Sequence, residues 1–108
     1  MTRTGLQLYT LRKHAENDLF GTIREVGEAG YEGLEFDGGM LERADPQELK
    51  SVLDQVGLEA IGLTVLMKEM GDSLDPLIEY AVTIGAEWLV MPWIDEDLRK
   101  SLSGYEWV

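Results

Sequence analysis

One carboxylate among the 21 acidic residues of this 108-residue chain stands apart by its setting. Glu35 lies inside Gly30-Tyr31-Glu32-Gly33-Leu34-Glu35-Phe36-Asp37-Gly38-Gly39. Extended over 32–36, that stretch turns Leu34 and Phe36 to one face and Gly33 and Glu35 to the other. A carboxylate near the end of an otherwise apolar strand is placed to take up or deliver a proton. Its plainer use is as a buried acid bonded to a neighbouring strand or loop amide. Gln7 and Tyr9 alternate with Leu6 and Leu8 and would line a polar pocket or fill its lowest layer. His14, the single histidine, follows in a charged loop and is a candidate contact for a ligand. A lone histidine next to Arg12 and Lys13 is more often simply a solvated ring. Trp93, directly after Pro92, offers a face on which a ligand ring could stack, although hydrophobic packing is the commoner use of an indole.

Other chemistries are removed by what is missing from the pattern. The chain has no cysteine, which excludes disulfides, a thiolate nucleophile and Cys-ligated metal. No His/Asp/Glu cluster has metal-ligand spacing. Asp37-Gly38-Gly39 is too short and wrongly patterned for a dinucleotide or phosphate loop. A formal charge of −12 repels phosphate backbones and anionic lipid, so neither nucleic acid nor a membrane surface is expected as partner.

The elements that position these residues repeat. Gly57-Leu58-Glu59-Ala60-Ile61 and Gly85-Ala86-Glu87-Trp88-Leu89 copy the junction at Gly30, at spacings of 27 and 28 residues. That interval is one strand plus one crossover helix. Each glycine is suited to end a helix in the left-handed conformation, where a residue with a Cβ is strained. The first strand spans 4–10, and a charged segment over 11–18 leads to a helix carrying Leu19, Ile23 and Val26. After the second strand, Asp45-Pro46-Gln47-Glu48 supplies an N-cap, a proline at the first helical position and an acid at the third. Leu49, Val52, Leu53 and Val56 form one stripe, so 46–56 is a helix. The third strand, 58–65, is nearly continuous in apolar character and predicts cover on both faces. A helix over about 73–84 would carry Leu74, Leu77, Ile78 and Ala81 on one side, with Pro76 in its first turn. A fourth strand covers 88–91, and Asp95 would cap a helix over 96–102.

The order is β-α-β-α-β-α-β-α in a single domain over residues 1–108, with four parallel strands. Such a sheet lies open with helices on both faces, or curls with all helices outside as half of a barrel. Gln7, Glu35 and Thr64 fall near strand C-termini on one face, which favours the curled form. A closed (β/α)8 barrel needs roughly 200 residues. No run approaches the ~20 apolar residues of a membrane span, and Met1-Thr2-Arg3-Thr4-Gly5 lacks the apolar core of a signal peptide, so a cytoplasmic protein is expected.

These pieces resemble the sugar phosphate isomerase/epimerase family of xylose-isomerase-like barrels. Gly5-Leu6-Gln7-Leu8-Tyr9-Thr10-Leu11-Arg12 is similar to that family's first strand and Gly30 to Phe36 to its second. Leu49-Lys50 through Gly57-Leu58-Glu59 is similar to the second helix and third strand, and Gly85 to Trp93 to the fourth strand. The resemblance implies the N-terminal (βα)4 half of a TIM barrel, ending inside the fourth helix, whose parent acts on a small sugar or polyol. Isomerisation next to a carbonyl needs a base, an acid and an electrophile. The resemblance would give Glu35 one of these roles and Gln7, Tyr9, His14 and Trp93 to substrate binding. The family's divalent metal is held on later strands, so no cofactor and little turnover are expected of this chain alone. Thr64 stands where many members carry histidine. The implied partner is a missing C-terminal half, or a second copy whose first strand pairs with this chain's fourth to close eight strands. Readings from other classes are a self-associating half-barrel without turnover and a small open-sheet, flavodoxin-like binding module.

Overall fold

Three left-handed glycines punctuate the chain where the junction repeat places them. Gly30, Gly57 and Gly85 have φ of 99°, 74° and 85°, and no other described residue has a positive φ. The computed structural model describes residues 3–41, 44–65, 67–92, 96–97 and 100–103. Its elements are β1 Gly5–Gln7, α1 Arg12–Asn17, α2 Leu19–Glu28, β2 Gly33–Asp37, α3 Pro46–Val56, β3 Glu59–Thr64, α4 Met67–Ile84 and β4 Trp88–Val90. Short 3-10 turns follow β1 over Leu8–Leu11 and β2 over Gly38–Leu41. Helix α3 has the bounds its caps predict. The Asp45 carboxylate accepts from the Glu48 amide at 3.0 Å, Pro46 opens the first turn, and Gly57 ends the helix.

All four strands are parallel and lie in the order β1-β2-β3-β4. With consecutive strands as neighbours, right-handed crossovers place every helix on one face. Helix α2 packs on α3 and α3 on α4, as that arrangement requires. A doubly wound, flavodoxin-like sheet would instead reverse its strand order and cover both faces. Beneath the helices, Leu34, Phe36 and Leu63 from the sheet meet Ile23, Leu49, Leu53 and Ile84, all fully buried. Each such side chain contributes about 1.5–3 kcal/mol by leaving water.

Several expectations change. Strand β1 stops at Gln7, because the Gln7 side chain accepts from the Tyr9 amide and draws the chain into a 3-10 turn. Tyr9 and Thr10 therefore leave the sheet, and the charged segment after them is a helix, α1. Strand β3 is interior to the sheet but covered on one face only: Ala60 and Leu63 are buried, whereas Ile61 is exposed. Helix α4 begins at Met67 rather than near 73, so Pro76 sits inside it. An interior proline costs about 3 kcal/mol, offset here by packing of Leu77, Ala81 and Ile84 against the core. Leu74 and Ile78, expected on that same stripe, are exposed instead. The helix expected over 96–102 falls partly outside the described residues, and Glu96 and Asp97 form a turn.

Candidate functional site

The strand register aligns one row across the face that carries no helices. Gln7 pairs with Glu35, Glu35 with Gly62, and Gly62 with Trp88. One step further along, Asp37, Thr64 and Val90 form the next row. Between the rows, Gln7, Glu35 and Thr64 join in a closed triangle. Gln7 Nε2 donates to Glu35 Oε1 at 3.1 Å and to Thr64 Oγ1 at 3.3 Å. Thr64 Oγ1 in turn donates to Glu35 Oε1 at 2.7 Å. Gln7 Oε1 is occupied by the Tyr9 amide at 3.2 Å, which fixes the orientation of the amide. Both donors converge on one carboxylate oxygen, so Glu35 Oε1 is held from both neighbouring strands.

Two irregularities shape the space around this triangle. The β2–β3 register shifts between Leu34 and Glu35, whose partners are Ala60 and Gly62, leaving Ile61 as the extra residue of a bulge. Ile61 lies across the glycines below the triangle: a Cβ on Gly5 or Gly33 would stand 2.7 Å from its Cδ1. Ile61 is thus a floor, and the two glycines are the notch it fills. Gly62 is buried and lets β4 approach closely, since a Cβ there would lie 3.2 Å from the Trp88 carbonyl oxygen and 3.9 Å from Glu35 Cγ. Ile61, Gly62 and Trp88 did not stand out in the sequence. Their roles come from register, and the one local signal was a glycine inside an apolar strand.

The remaining sequence-predicted residues sit elsewhere. Tyr9 is half exposed in the 3-10 turn, with the Arg12 guanidinium 4.5 Å from its ring centroid and donating to its carbonyl at 3.1 Å. That cation–π pair holds the turn over the end of β1. His14 is exposed on α1, not in a loop, and its carbonyl accepts from the Asp18 amide. Trp93 lies outside the described residues. Of the five candidates, the structure brings Gln7 and Glu35 together and adds Thr64.

The ends of the sheet differ in electrostatics. At the strand N-termini Arg3 bridges Glu59 at 3.0 Å and Glu32 at 3.8 Å, all exposed to solvent. A recess of about 520 Å³ lies there, lined in part by Arg3, Glu32, Ile61 and Trp88. Another of about 640 Å³ runs between α1–α2 and the start of α3, past Phe20, Met40 and Glu48. Neither includes the triangle, which lies on an open face. On the covered side Tyr80 donates to the Ala44 carbonyl at 2.8 Å. Burial and, secondarily, the Asp45 charge push its phenol up to about 12.

Among the described residues no three His, Asp or Glu side chains gather so as to hold a metal ion. No described helix is long and apolar enough to cross a membrane. The molecule is an α/β chain of four parallel strands with its helices on one face, consistent with half of a barrel. No family model matches it, and neither does any curated protein.

Proposed function

We propose that this chain is the N-terminal (βα)4 half of a cytoplasmic barrel of the sugar phosphate isomerase/epimerase kind, and that its helix-free face reads a small sugar or polyol. The observation that carries this reading is the Gln7–Glu35–Thr64 triangle. Three adjacent strands contribute polar side chains near their C-termini, on the face that a closed barrel turns inward and where such barrels place their sites. An amide that donates, a carboxylate that accepts and a hydroxyl that does both match neighbouring hydroxyls of a polyol. In the whole barrel Glu35 is the proton-transfer group, and Gln7 and Thr64 position it. Four strands alone leave this face open to water, which competes for each hydrogen bond. The isolated chain then binds sugar weakly and does not turn it over.

The test is a titration of isotope-labelled protein with xylose, ribose and sorbitol at millimolar concentration, followed at the amides of Gln7, Glu35, Gly62 and Thr64. These four should shift together, and Glu35→Gln should weaken binding about tenfold, equivalent to about 1.4 kcal/mol. Shifts confined to other surfaces, or none, would overturn the site. Robust metal-dependent ketose–aldose interconversion by the chain alone would overturn its assignment as an incomplete half.

A second reading, a self-associating half-barrel, is favoured by Ile61, Trp88 and Val90, which are apolar and exposed. In its closed form β4 of one copy would pair with β1 of another to make eight strands.

A further inference from the structure

The polar hydrogens of the Gln7–Glu35–Thr64 triangle are all spoken for. Gln7 Nε2 carries two and Thr64 Oγ1 carries one. Gln7 Nε2 gives its two to Glu35 Oε1 and Thr64 Oγ1, at 3.1 and 3.3 Å, and Thr64 Oγ1 gives its one to Glu35 Oε1 at 2.7 Å. The last direction is forced, because an ionised carboxylate only accepts. Nor can the Gln7 amide turn over to offer its hydrogens, since its Oε1 is held by the Tyr9 amide at 3.2 Å. What the triangle presents outward is therefore acceptor alone: Glu35 Oε2, without a partner among the described residues, and the second lone pairs of Thr64 Oγ1 and Gln7 Oε1.

The charge has the same sense. Ion pairs among the described residues join Arg3 to Glu32 and Glu59, Lys50 to Asp54 and Lys100 to Asp97, and none reaches Glu35. Asp37, two residues along β2 and so on the same face, stands level with Thr64. Its Oδ1 accepts from the Gly39 amide at 2.9 Å, and its side chain brings no donor. Over the whole chain the formal charge is −12. An anionic group approaching the triangle meets a repelling field and no donor left to receive it. A hydroxyl can donate one bond there. A protonated amine can donate three, each assisted by charge. We infer, resting on the sugar reading of this face, that the group held at Glu35 is a protonated amine, so that amino-substituted sugars are preferred and phosphorylated ones are turned away.

The test is a titration of isotope-labelled protein with glucosamine, glucose, N-acetylglucosamine and glucose 6-phosphate, at about pH 6, below the usual range of an amine. Glucosamine should move the amides of Gln7, Glu35 and Thr64 at concentrations about fivefold lower than glucose, the gain of a charged over a neutral hydrogen bond. N-acetylglucosamine, whose nitrogen carries no charge, should bind like glucose, and glucose 6-phosphate should leave the three amides unmoved. Glu35→Gln should erase the preference for the amine while its amide spectrum stays that of the folded chain. Molar potassium chloride should shrink the preference in the unaltered protein. Equal affinity for glucose and glucosamine at these amides overturns the inference and leaves the sugar reading standing. Glucose 6-phosphate binding there also overturns it, as does a preference that survives Glu35→Gln. Methylammonium chloride binding as tightly as glucosamine would overturn the sugar reading and not the amine. No shift with any of these ligands overturns both.

Discussion

The two faces of the sheet are built from alternate residues of the same strands and have opposite characters. On the covered face Leu34, Phe36 and Leu63 are buried under the helices; on the other, Gln7, Glu35 and Thr64 are only partly buried and bond to one another. One residue of register separates a core position from a site position. The covered face holds the fold, because apolar area leaves water there. The open face is available for chemistry because its hydrogen bonds are worth little net stability in contact with solvent.

The sharpest way to break that comparison is to truncate one side chain on each face. Phe36→Ala should cost about 3–5 kcal/mol, from lost burial and the cavity left behind. That is a large share of the stability of an ordinary domain. Thr64→Val removes the donor to Glu35 and the acceptor for Gln7 with little change in shape, and should cost about 1 kcal/mol. Urea unfolding of the two variants measures both. Comparable losses would mean that the triangle is a structural staple, and the open face would lose its claim to function.

The same contrast explains what the sequence made legible. The glycine junctions and the caps of α3 are local: a left-handed glycine and an Asp-Pro-x-Glu start act within one turn, so residues a few places apart suffice to read them. The alternation of Leu34 and Phe36 against Glu35 was legible for the same reason. The end of β1 was not, because Gln7 caps Tyr9 with one end of an amide whose other end is held by Glu35 and Thr64, 28 and 57 residues away. Nor was the floor formed by Ile61, which depends on a register shift between strands. In α4 the period was plain but its phase was not. Leu74, Ile78 and Val82 fit an apolar stripe as well as Leu77, Ala81 and Ile84 do, and only docking on the sheet chooses between them. The grouping of Gln7, Glu35 and Thr64 on one face could be read from strand alternation, but their mutual bonding could not.

The covered side also contains a polar bond, which should behave unlike those of the open face. Tyr80 donates to the Ala44 carbonyl beside the α3 cap, and burial with the nearby Asp45 charge raises its phenol from 10.0 to about 12. In the unfolded chain the phenol ionises near pH 10, whereas in the folded chain it keeps its proton to about 12. The unfolded state therefore binds fewer protons over that interval, and stability falls as pH rises from 10 to 12. Below pH 10 this group adds no pH dependence. Tyr80→Phe should lose about 0.5–1.5 kcal/mol at neutral pH and should lack this part of the alkaline decline. The other three tyrosines are common to both proteins, so the difference between their unfolding curves isolates Tyr80. A gap between wild type and variant that narrows from pH 10 to 12 places the proton on a half-buried phenol bonded to Ala44. A constant gap would make Tyr80 as freely solvated as a residue of the open face.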